Sequence, residues 1–122
     1  MPRYVDGFLL AIPTNKMPAY RRMSQSAGKV WRQHGALEYR ETVGDDLKVK
    51  KGMGRGFASA ARTKPGEVPV FSWIVYKSKA HRNAVNARVM KDPRIEKMMK
   101  APMPFNPARM FYGGFKVIVD IK

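Results

Sequence analysis

The stretch Lys29-Val30-Trp31-Arg32-Gln33-His34-Gly35-Ala36-Leu37-Glu38-Tyr39-Arg40 marks the point at which the chain reverses between its first helix and its second strand. Before it, hydrophobic residues recur every three or four positions over residues 17–34, which is the period of an amphipathic helix. Gly35 follows where a left-handed residue commonly ends a helix, and residues 36–43 have the pattern of a strand. The stretch therefore predicts a helix, a glycine stop and a strand, with a Trp, a His and a Tyr close to the turn.

The same kinds of pattern predict the rest of the secondary structure. Two segments are rich in β-branched and aromatic residues, as strands are, and Asp92-Pro93 is typical of the start of a helix. The predicted elements are strands at 4–12, 36–43, 68–76 and 110–121, helices at 17–34, 79–90 and 93–99, and an irregular, basic, glycine-rich loop at about 45–67. This order predicts the α+β class, with one ferredoxin-like βαββαβ domain over residues 1–122, a four-stranded antiparallel sheet and the helices on one face.

Two of the predicted strands, 4–12 and 68–76, are hydrophobic on both faces. Helices can cover only one face of such a sheet, and a soluble monomer rarely exposes as much apolar surface as would remain on the other face. A second copy of the same sheet is the simplest cover. We therefore expect a homodimer in which two sheets pack face to face.

The composition excludes several classes of protein. The chain has no cysteine, so it has no disulfide framework, no thiolate metal site and no cysteine nucleophile, and we predict neither a metal nor a cofactor. No segment approaches the roughly 20 apolar residues that span a bilayer, and the first residues lack the apolar core of a signal peptide. We expect a cytoplasmic protein without a membrane partner.

The chain is strongly basic, with a net charge of +15 from 24 Lys and Arg residues against 9 Asp and Glu residues. Such a charge attracts nucleic acids and other anionic partners without specificity. The cations are spread along the chain, with only a modest excess between Lys48 and Lys64, as on a solvated basic surface. Nucleic-acid binding is therefore the less favoured of the two functional hypotheses below.

Five blocks of the sequence resemble the YbaA-like bacterial family, whose function is unknown. In order along nearly the whole chain, the blocks are Tyr4-Val5-Asp6-Gly7-Phe8, the opening stretch apart from Gln33, Phe71-Ser72-Trp73-Ile74-Val75-Tyr76-Lys77-Ser78, Val85-Asn86-Ala87-x-Val89-Met90-Lys91-Asp92-Pro93 and Met110-Phe111-Tyr112-Gly113-Gly114-Phe115. The resemblance implies a ferredoxin-like fold of the dimeric α/β-barrel superfamily. That superfamily includes cofactor-free monooxygenases, haem-degrading enzymes and proteins without an assigned activity, so no reaction transfers with the fold.

Two residues are candidates for proton transfer. His34 shares the helix face of Trp31, and histidine is a common proton-transfer residue in proteins, although it could instead bind the last carbonyls of its helix. Asp6 lies in the middle of a hydrophobic strand, where an unpaired carboxylate is costly to bury. It could act as a general base, or it could form an ion pair with Arg40 or Arg109.

Aromatic side chains and one arginine are candidates for a ligand pocket. Rings with polar edges suit a flat or aromatic ligand, and an arginine suits an anionic group. The same residues could instead belong to the core or the surface, as aromatics at sheet and helix spacing commonly do. The candidate ligand-binding residues are Trp31, Tyr39, Trp73, Tyr76, Arg109 and Tyr112.

These features support two hypotheses about function. The first is a homodimer that holds a small organic molecule between the sheet and the first helix. It would be either a binding protein or a cofactor-free enzyme of the monooxygenase-like type, in which His34 or Asp6 removes a proton. The alternative is a binding protein that uses its basic surface for RNA or another anionic partner, with an affinity that falls steeply as ionic strength rises.

Overall fold

Four strands and four α-helices form along the chain in the computed structural model, which describes residues 1–122. The strands are β1 (Tyr4–Pro13), β2 (Glu38–Val43), β3 (Glu67–Tyr76) and β4 (Phe111–Lys116). The helices are α1 (Met17–Gln33), α2 (Phe57–Ala60), α3 (Lys79–Met90) and α4 (Pro93–Lys100). All strand pairs are antiparallel and the strand order is β2-β3-β1-β4, which confirms the predicted ferredoxin-like fold.

The reversal at the end of α1 has the predicted structure. Gly35 adopts a φ of +117°, a backbone conformation that favours glycine. The N–H of Ala36 donates to the carbonyl of Trp31 at 3.1 Å, and the N–H of Leu37 reaches the carbonyl of Val75 at 2.7 Å. These bonds attach the turn to the sheet, and β2 begins directly after them.

One predicted strand was wrong in its length, and one predicted loop was wrong in its structure. The last strand was expected to continue to residue 121, but β4 ends at Lys116, which pairs with Tyr4, the first residue of β1. Beyond that pair the N–H of Val117 donates to the carbonyl of Arg3, and no partner strand continues. The loop at 45–67 was expected to be irregular, whereas it contains the short helix α2.

Helices α1, α3 and α4 cover one face of the sheet, which we call the helix face, whereas Phe57 of α2 stacks on Phe71 of the opposite face. Leu10, Ile12 and Val70 on this face are buried, and buried side chains of α1, α3 and α4 pack on the same side of the sheet. The opposite face, which we call the open face, carries Phe71, Phe111 and Phe115, which are 45%, 51% and 62% exposed. The expectation of a sheet with an uncovered apolar face is therefore confirmed for the single chain.

None of the helices is both long enough and hydrophobic enough to cross a membrane.

Candidate functional site

A cavity of about 610 Å³ lies between the helix face of the sheet and α1, α3, α4 and the segment that leads to β4; we call it the inner cavity. Its walls are mostly hydrophobic, because the helix faces that meet the sheet there carry aromatic and methionine side chains. Unbranched methionine side chains adapt to differently shaped neighbours, which suits the wall of a binding cavity. The hydrophobic lining includes Phe8, Leu10, Met23, Trp31, Ile95, Met98, Met103, Phe105, Met110 and Tyr112.

One end of the inner cavity carries the carboxylate of Asp6, paired with residues of α3. The Arg82 Nε lies 3.3 Å from Asp6 Oδ1, and the Asn86 amide donates to Asp6 Oδ2 at 3.3 Å. Arg82 and Asn86 are four residues apart, so α3 presents both to the same strand. Asn86 also accepts a hydrogen bond from the Trp31 indole at 3.1 Å and another from the Tyr76 hydroxyl at 3.0 Å.

The other end carries the carboxylate of Glu41, which is bound by hydroxyl groups. The Tyr20 hydroxyl donates to Glu41 Oε1 at 2.8 Å, and the Tyr39 hydroxyl donates to Oε2 at 3.3 Å. Ser24 and Ser72, both buried, lie against the same carboxylate. No Lys, Arg or His lies within ion-pair distance of Glu41, although the chain carries 24 Lys and Arg residues.

The surroundings of Glu41 change its acidity and that of its partners. Loss of hydration raises the pKa of Glu41, and the hydrogen bonds from Tyr20, Ser24 and the other hydroxyls offset part of this rise. Burial, together with the adjacent carboxylate, raises the pKa values of Tyr20 and Tyr39 so far that both phenols stay protonated and keep donating. Glu41 is thus a carboxylate whose proton affinity is increased, next to a hydrophobic cavity.

Strand register gives the separation between the two carboxylates. Glu41 lies opposite Ser72 on one side of β3, and Phe8 lies opposite Ser72 on the other side. Asp6 lies two residues before Phe8 in β1. With strands about 4.8 Å apart and about 3.3 Å of rise per residue, the Cα atoms of Asp6 and Glu41 are roughly 12 Å apart. The inner cavity therefore has two polar ends separated by hydrophobic walls.

A second space of about 810 Å³ lies between α1 and the edge strand β2; we call it the outer groove. Tyr20, Ser24, Tyr39 and Glu41 line both spaces, and Glu41 is exposed to solvent. The remaining lining of the outer groove is largely polar and cationic, and includes Arg21, Gln25, Lys29, Arg32, Gln33 and Thr42.

Asp6 lines the inner cavity, but it forms an ion pair with neither Arg40 nor Arg109, the two partners expected from the sequence. Its ion pair is with Arg82 of α3. Strand alternation places Arg40 on the open face, because its pairing partner Trp73 is there. Arg109 makes two hydrogen bonds with Glu67, at 2.7 and 2.9 Å, and these lower the pKa of Glu67 to about 2.

His34 does not line the inner cavity. It follows the last turn of α1, where its Nε2 lies 2.8 Å from Asp92 Oδ2. Asp92 also caps α4 by accepting a hydrogen bond from the Arg94 N–H at 2.9 Å. The histidine therefore joins the end of α1 to the start of α4, and the expectation that it lies with Trp31 in a pocket wall was wrong.

The six predicted ligand residues divide into three groups. Trp31, Tyr39 and Tyr112 line the inner cavity with their side chains on the helix side. Tyr76 is fully buried in the core, and Arg109 is held by Glu67 outside the cavity. Trp73 belongs to the strand beneath the cavity, but its ring is on the open face, 5.5 Å from that of Phe71. A ligand-binding role for any of them stays a prediction.

Sequence reasoning did not select Glu41, Arg82 or Asn86 as site residues. Glu41 is two positions from Tyr39 in the same strand, so it shares that residue's face of the sheet. Arg82 and Asn86 have helical spacing. These spacings can be read from the sequence, but they identify site residues only when it is known which strand face and which helix face line the cavity.

Comparison with known proteins places this chain among relatives of nearly equal length. Residues 3–107 match the model of a family described as "Protein of unknown function (DUF1428)". The uncharacterized protein YbaA of Escherichia coli K12 is 42% identical over 118 residues, which are 97% of this chain and 98% of that protein. The YbaA protein of Shigella flexneri gives the same identity and coverage.

Two solved structures have a similar fold at low sequence identity. A dimeric ferredoxin-like protein from an uncultured marine organism gives a TM-score of 0.60 at 12% identity, covering 99% of this chain and 100% of that one. An uncharacterized NIPSNAP domain protein from Burkholderia xenovorans gives a TM-score of 0.52 at 18% identity, covering 92% and 91%. The family match and the full-length relatives agree with the resemblance seen in the sequence, and the chain belongs to the YbaA-like DUF1428 family of proteins of unknown function.

Proposed function

We propose that the protein is a cytoplasmic homodimer that binds a small, largely apolar organic molecule with polar groups in the inner cavity of each subunit. The observation that carries the proposal is a cavity of about 610 Å³ with hydrophobic walls and a carboxylate at each end. Its size falls within the range of sites that hold small ligands, and a few fixed polar groups in an apolar cavity are typical of such sites. Of the two proton-transfer candidates from the sequence, only Asp6 reaches this cavity.

The open face supports the homodimer. Its exposed phenylalanines form a continuous apolar surface with the ring of Phe57 from α2, which stacks on Phe71 at 5.6 Å. A second copy would cover this surface with a face of the same composition. The structural neighbour described as dimeric and ferredoxin-like supports the same arrangement. The basic loop leaves an anionic partner as the alternative, since Lys48, Lys50 and Arg55 are exposed and make no ion pair.

Ligand binding is tested with β-tetralone, a flat neutral ketone of two fused rings. We expect it to bind the purified protein, because its rings suit the hydrophobic walls and its carbonyl can accept a hydrogen bond at a polar end. Saturation-transfer NMR and calorimetric titration measure the binding. Met23→Trp, which adds an indole to the inner cavity, should weaken the affinity by about tenfold or more.

The matched control is Gln25→Trp, which adds the same indole to the outer groove. It should leave the affinity for β-tetralone unchanged. The opposite pattern, with loss of binding in Gln25→Trp alone, would place the site in the outer groove and contradict the proposal. Absence of binding to the wild-type protein would also contradict it.

The homodimer is tested by Phe71→Lys. A lysine in the centre of the apolar open face should weaken dimerisation by about 2 kcal/mol or more, because the charge must be buried and the aromatic contact is lost. Size-exclusion chromatography with light scattering should show a wild-type dimer and a monomeric variant. Val43→Lys is the control, since Val43 is an exposed strand residue on the helix face, 53% exposed against 45% for Phe71. A monomeric wild-type protein at micromolar concentration would contradict the dimer.

A further inference from the structure

We infer that the Asp6 end of the inner cavity is a subsite for the hydroxyl group of a neutral phenol, with the Asp6 carboxylate as the acceptor of the hydroxyl hydrogen. The inference rests on the proposed function, because it requires that a small organic molecule enters this cavity. It goes further by naming the chemical class of the ligand and the end of the cavity at which its polar group is bound.

The carboxylate of Asp6 lines the inner cavity and receives few hydrogen bonds from the protein. A carboxylate offers about four acceptor positions. The Asn86 amide donates to Oδ2 at 3.3 Å, which is long for such a bond. Arg82 Nε lies 3.3 Å from Oδ1 but outside hydrogen-bond geometry, and the nearby Tyr76 hydroxyl donates to Asn86 instead. The Asp6 side chain is 13% exposed, so Oδ1 is left for a donor that enters through the cavity.

Packing explains why Arg82 does not complete the hydrogen bonds of Asp6. Its Nη2 donates to the Tyr4 hydroxyl at 3.2 Å, and its guanidinium carbon lies 4.8 Å from the centre of the Tyr4 ring. Gly114 of β4, which pairs with Asp6, leaves the space that both groups occupy, because a Cβ atom there would collide with Arg82 Nη2 and the Tyr4 oxygen. The arginine is therefore fixed in a position that leaves Asp6 Oδ1 without a hydrogen bond.

The charges at this end of the cavity favour a neutral donor. Asp6 and Arg82 compensate each other, so a cationic ligand would meet the guanidinium and an anionic ligand would meet the carboxylate. Such repulsion is strong where the groups are largely removed from water. A neutral hydroxyl instead donates to the carboxylate in a charge-assisted hydrogen bond. Its oxygen can also accept, and Arg82 Nη1 has no hydrogen-bond partner, so a hydroxyl suits this site better than an N–H group.

The walls next to Asp6 favour an aromatic body on the ligand. Phe8 lies two residues further along β1 on the same face, and its ring stacks on that of Tyr112 with the centres 6.2 Å apart. Trp31 of α1 lines the same part of the fold, because its indole donates to Asn86. Two strand residues span roughly 7 Å, so a fused ring system with its hydroxyl at Asp6 reaches the rings of Phe8 and Tyr112.

The test compares 2-naphthol with β-tetralone, which has two fused rings and its oxygen at the same position but can only accept a hydrogen bond. Calorimetric titration of the full-length protein at neutral pH, at which 2-naphthol is uncharged, gives both affinities. We expect 2-naphthol to bind about tenfold more tightly or better, as a hydrogen bond to a charged acceptor allows.

Replacing Asp6 tests whether this carboxylate is the acceptor. Asp6→Asn keeps the shape of the side chain and removes its charge, so the preference for 2-naphthol should fall below about threefold. Asp46→Asn is the matched control, because it makes the same change at an exposed residue that does not line the cavity, and it should keep the preference.

The double variant Asp6→Asn/Arg82→Met gives the same readout if the single variant folds poorly. It removes both charges, so no buried charge is left uncompensated, and it should also lose the preference for 2-naphthol. Circular dichroism and thermal unfolding verify that the proteins compared are folded.

The orientation of the ligand gives a readout that does not depend on affinity. Nuclear Overhauser effects should connect the hydrogens beside the hydroxyl of bound 2-naphthol with the side-chain amide of Asn86. Contacts of these hydrogens with Tyr20, at the other end of the cavity, would overturn the inference.

The outcomes also separate this inference from the proposed function. If β-tetralone binds and 2-naphthol binds no more tightly, or if the folded Asp6 variants keep the preference, the hydroxyl subsite is overturned and the binding cavity stands. Tighter binding of the anion 2-naphthoate than of 2-naphthol would overturn the subsite as well, since it would show that the cation of Arg82 dominates. Absence of binding of every probe would overturn both proposals.

Discussion

Replacing Arg82 with methionine is expected to lower the free energy of unfolding by about 2–4 kcal/mol, which is the larger of the two stability effects we predict. The side chains of Asp6 and Arg82 are only 13% and 24% exposed, and their charged groups are 3.3 Å apart. Removing one partner of a buried ion pair leaves the other charge without compensation, and this costs more than the pair itself contributes. Arg82 also stacks over the ring of Tyr4, with its guanidinium carbon 4.8 Å from the ring centre.

Urea unfolding followed by tryptophan fluorescence measures this effect. Lys79→Met is the control, because Lys79 is an exposed cation at the start of the same helix and makes no ion pair. The double variant Asp6→Asn/Arg82→Met removes both charges and should recover much of the lost stability. If the double variant were as unstable as the sum of the two single variants, the ion pair would not be the cause.

Replacing Gly28 with alanine is expected to destabilise the protein by about 1–3 kcal/mol, against the usual preference of helices for alanine. A Cβ atom on Gly28 would lie 2.6 Å from Cδ1 and 2.8 Å from Cε1 of Tyr39. Because the ring is fixed between α1 and β2, relief of this contact requires a shift of Tyr39 or of the helix. In an exposed helix the same change would add about 1 kcal/mol of stability.

Ser26→Ala in the exposed part of α1 is the matched control and should be neutral or slightly stabilising. Gly28→Ala should also weaken the hydrogen bond from Tyr39 to Glu41, so the affinity for β-tetralone should fall with stability. In a Tyr39→Leu background, which removes the ring, the cost of Gly28→Ala should largely disappear. A stabilising Gly28→Ala in the wild-type background would contradict the close packing of α1 on β2.

The elements that the sequence predicted well are those with strong local signals. Helix α3 has the predicted bounds, because the Ser78 hydroxyl caps its start and accepts a hydrogen bond from the His81 N–H at 3.1 Å. Gly35 ends α1 because its left-handed conformation is unfavourable for other residues. The strand β4 was predicted too long because a hydrophobic run continues to Ile121, whereas the length of a strand depends on its partner, and β1 begins at Tyr4.

The residues of the candidate site also differ in how well the sequence predicted them. Trp31, Tyr39 and Tyr112 could be chosen as cavity residues because aromatic residues are typical of pocket walls and can be identified directly from the sequence. Glu41 could not, since a glutamate in an edge strand is usually a solvated residue. The surroundings of Glu41 are formed by residues distant in the sequence, namely Tyr20, which is 21 positions away, and Ser72, which is 31 positions away.

By itself, the sequence determined the order of the four strands and the three longer helices, the ferredoxin-like fold, the family and an apolar open face. The family follows from the resemblance of five sequence blocks, and the rest follows from periodicity, capping residues and turn residues, which act between neighbours in the chain. Only the tertiary structure decided that Asp6 pairs with Arg82, that His34 binds Asp92 outside the cavity, and that Glu41 has hydroxyl partners alone. The physical reason is that the charge and acidity of a side chain depend on groups brought within a few ångströms by packing, and a one-dimensional pattern does not specify that packing.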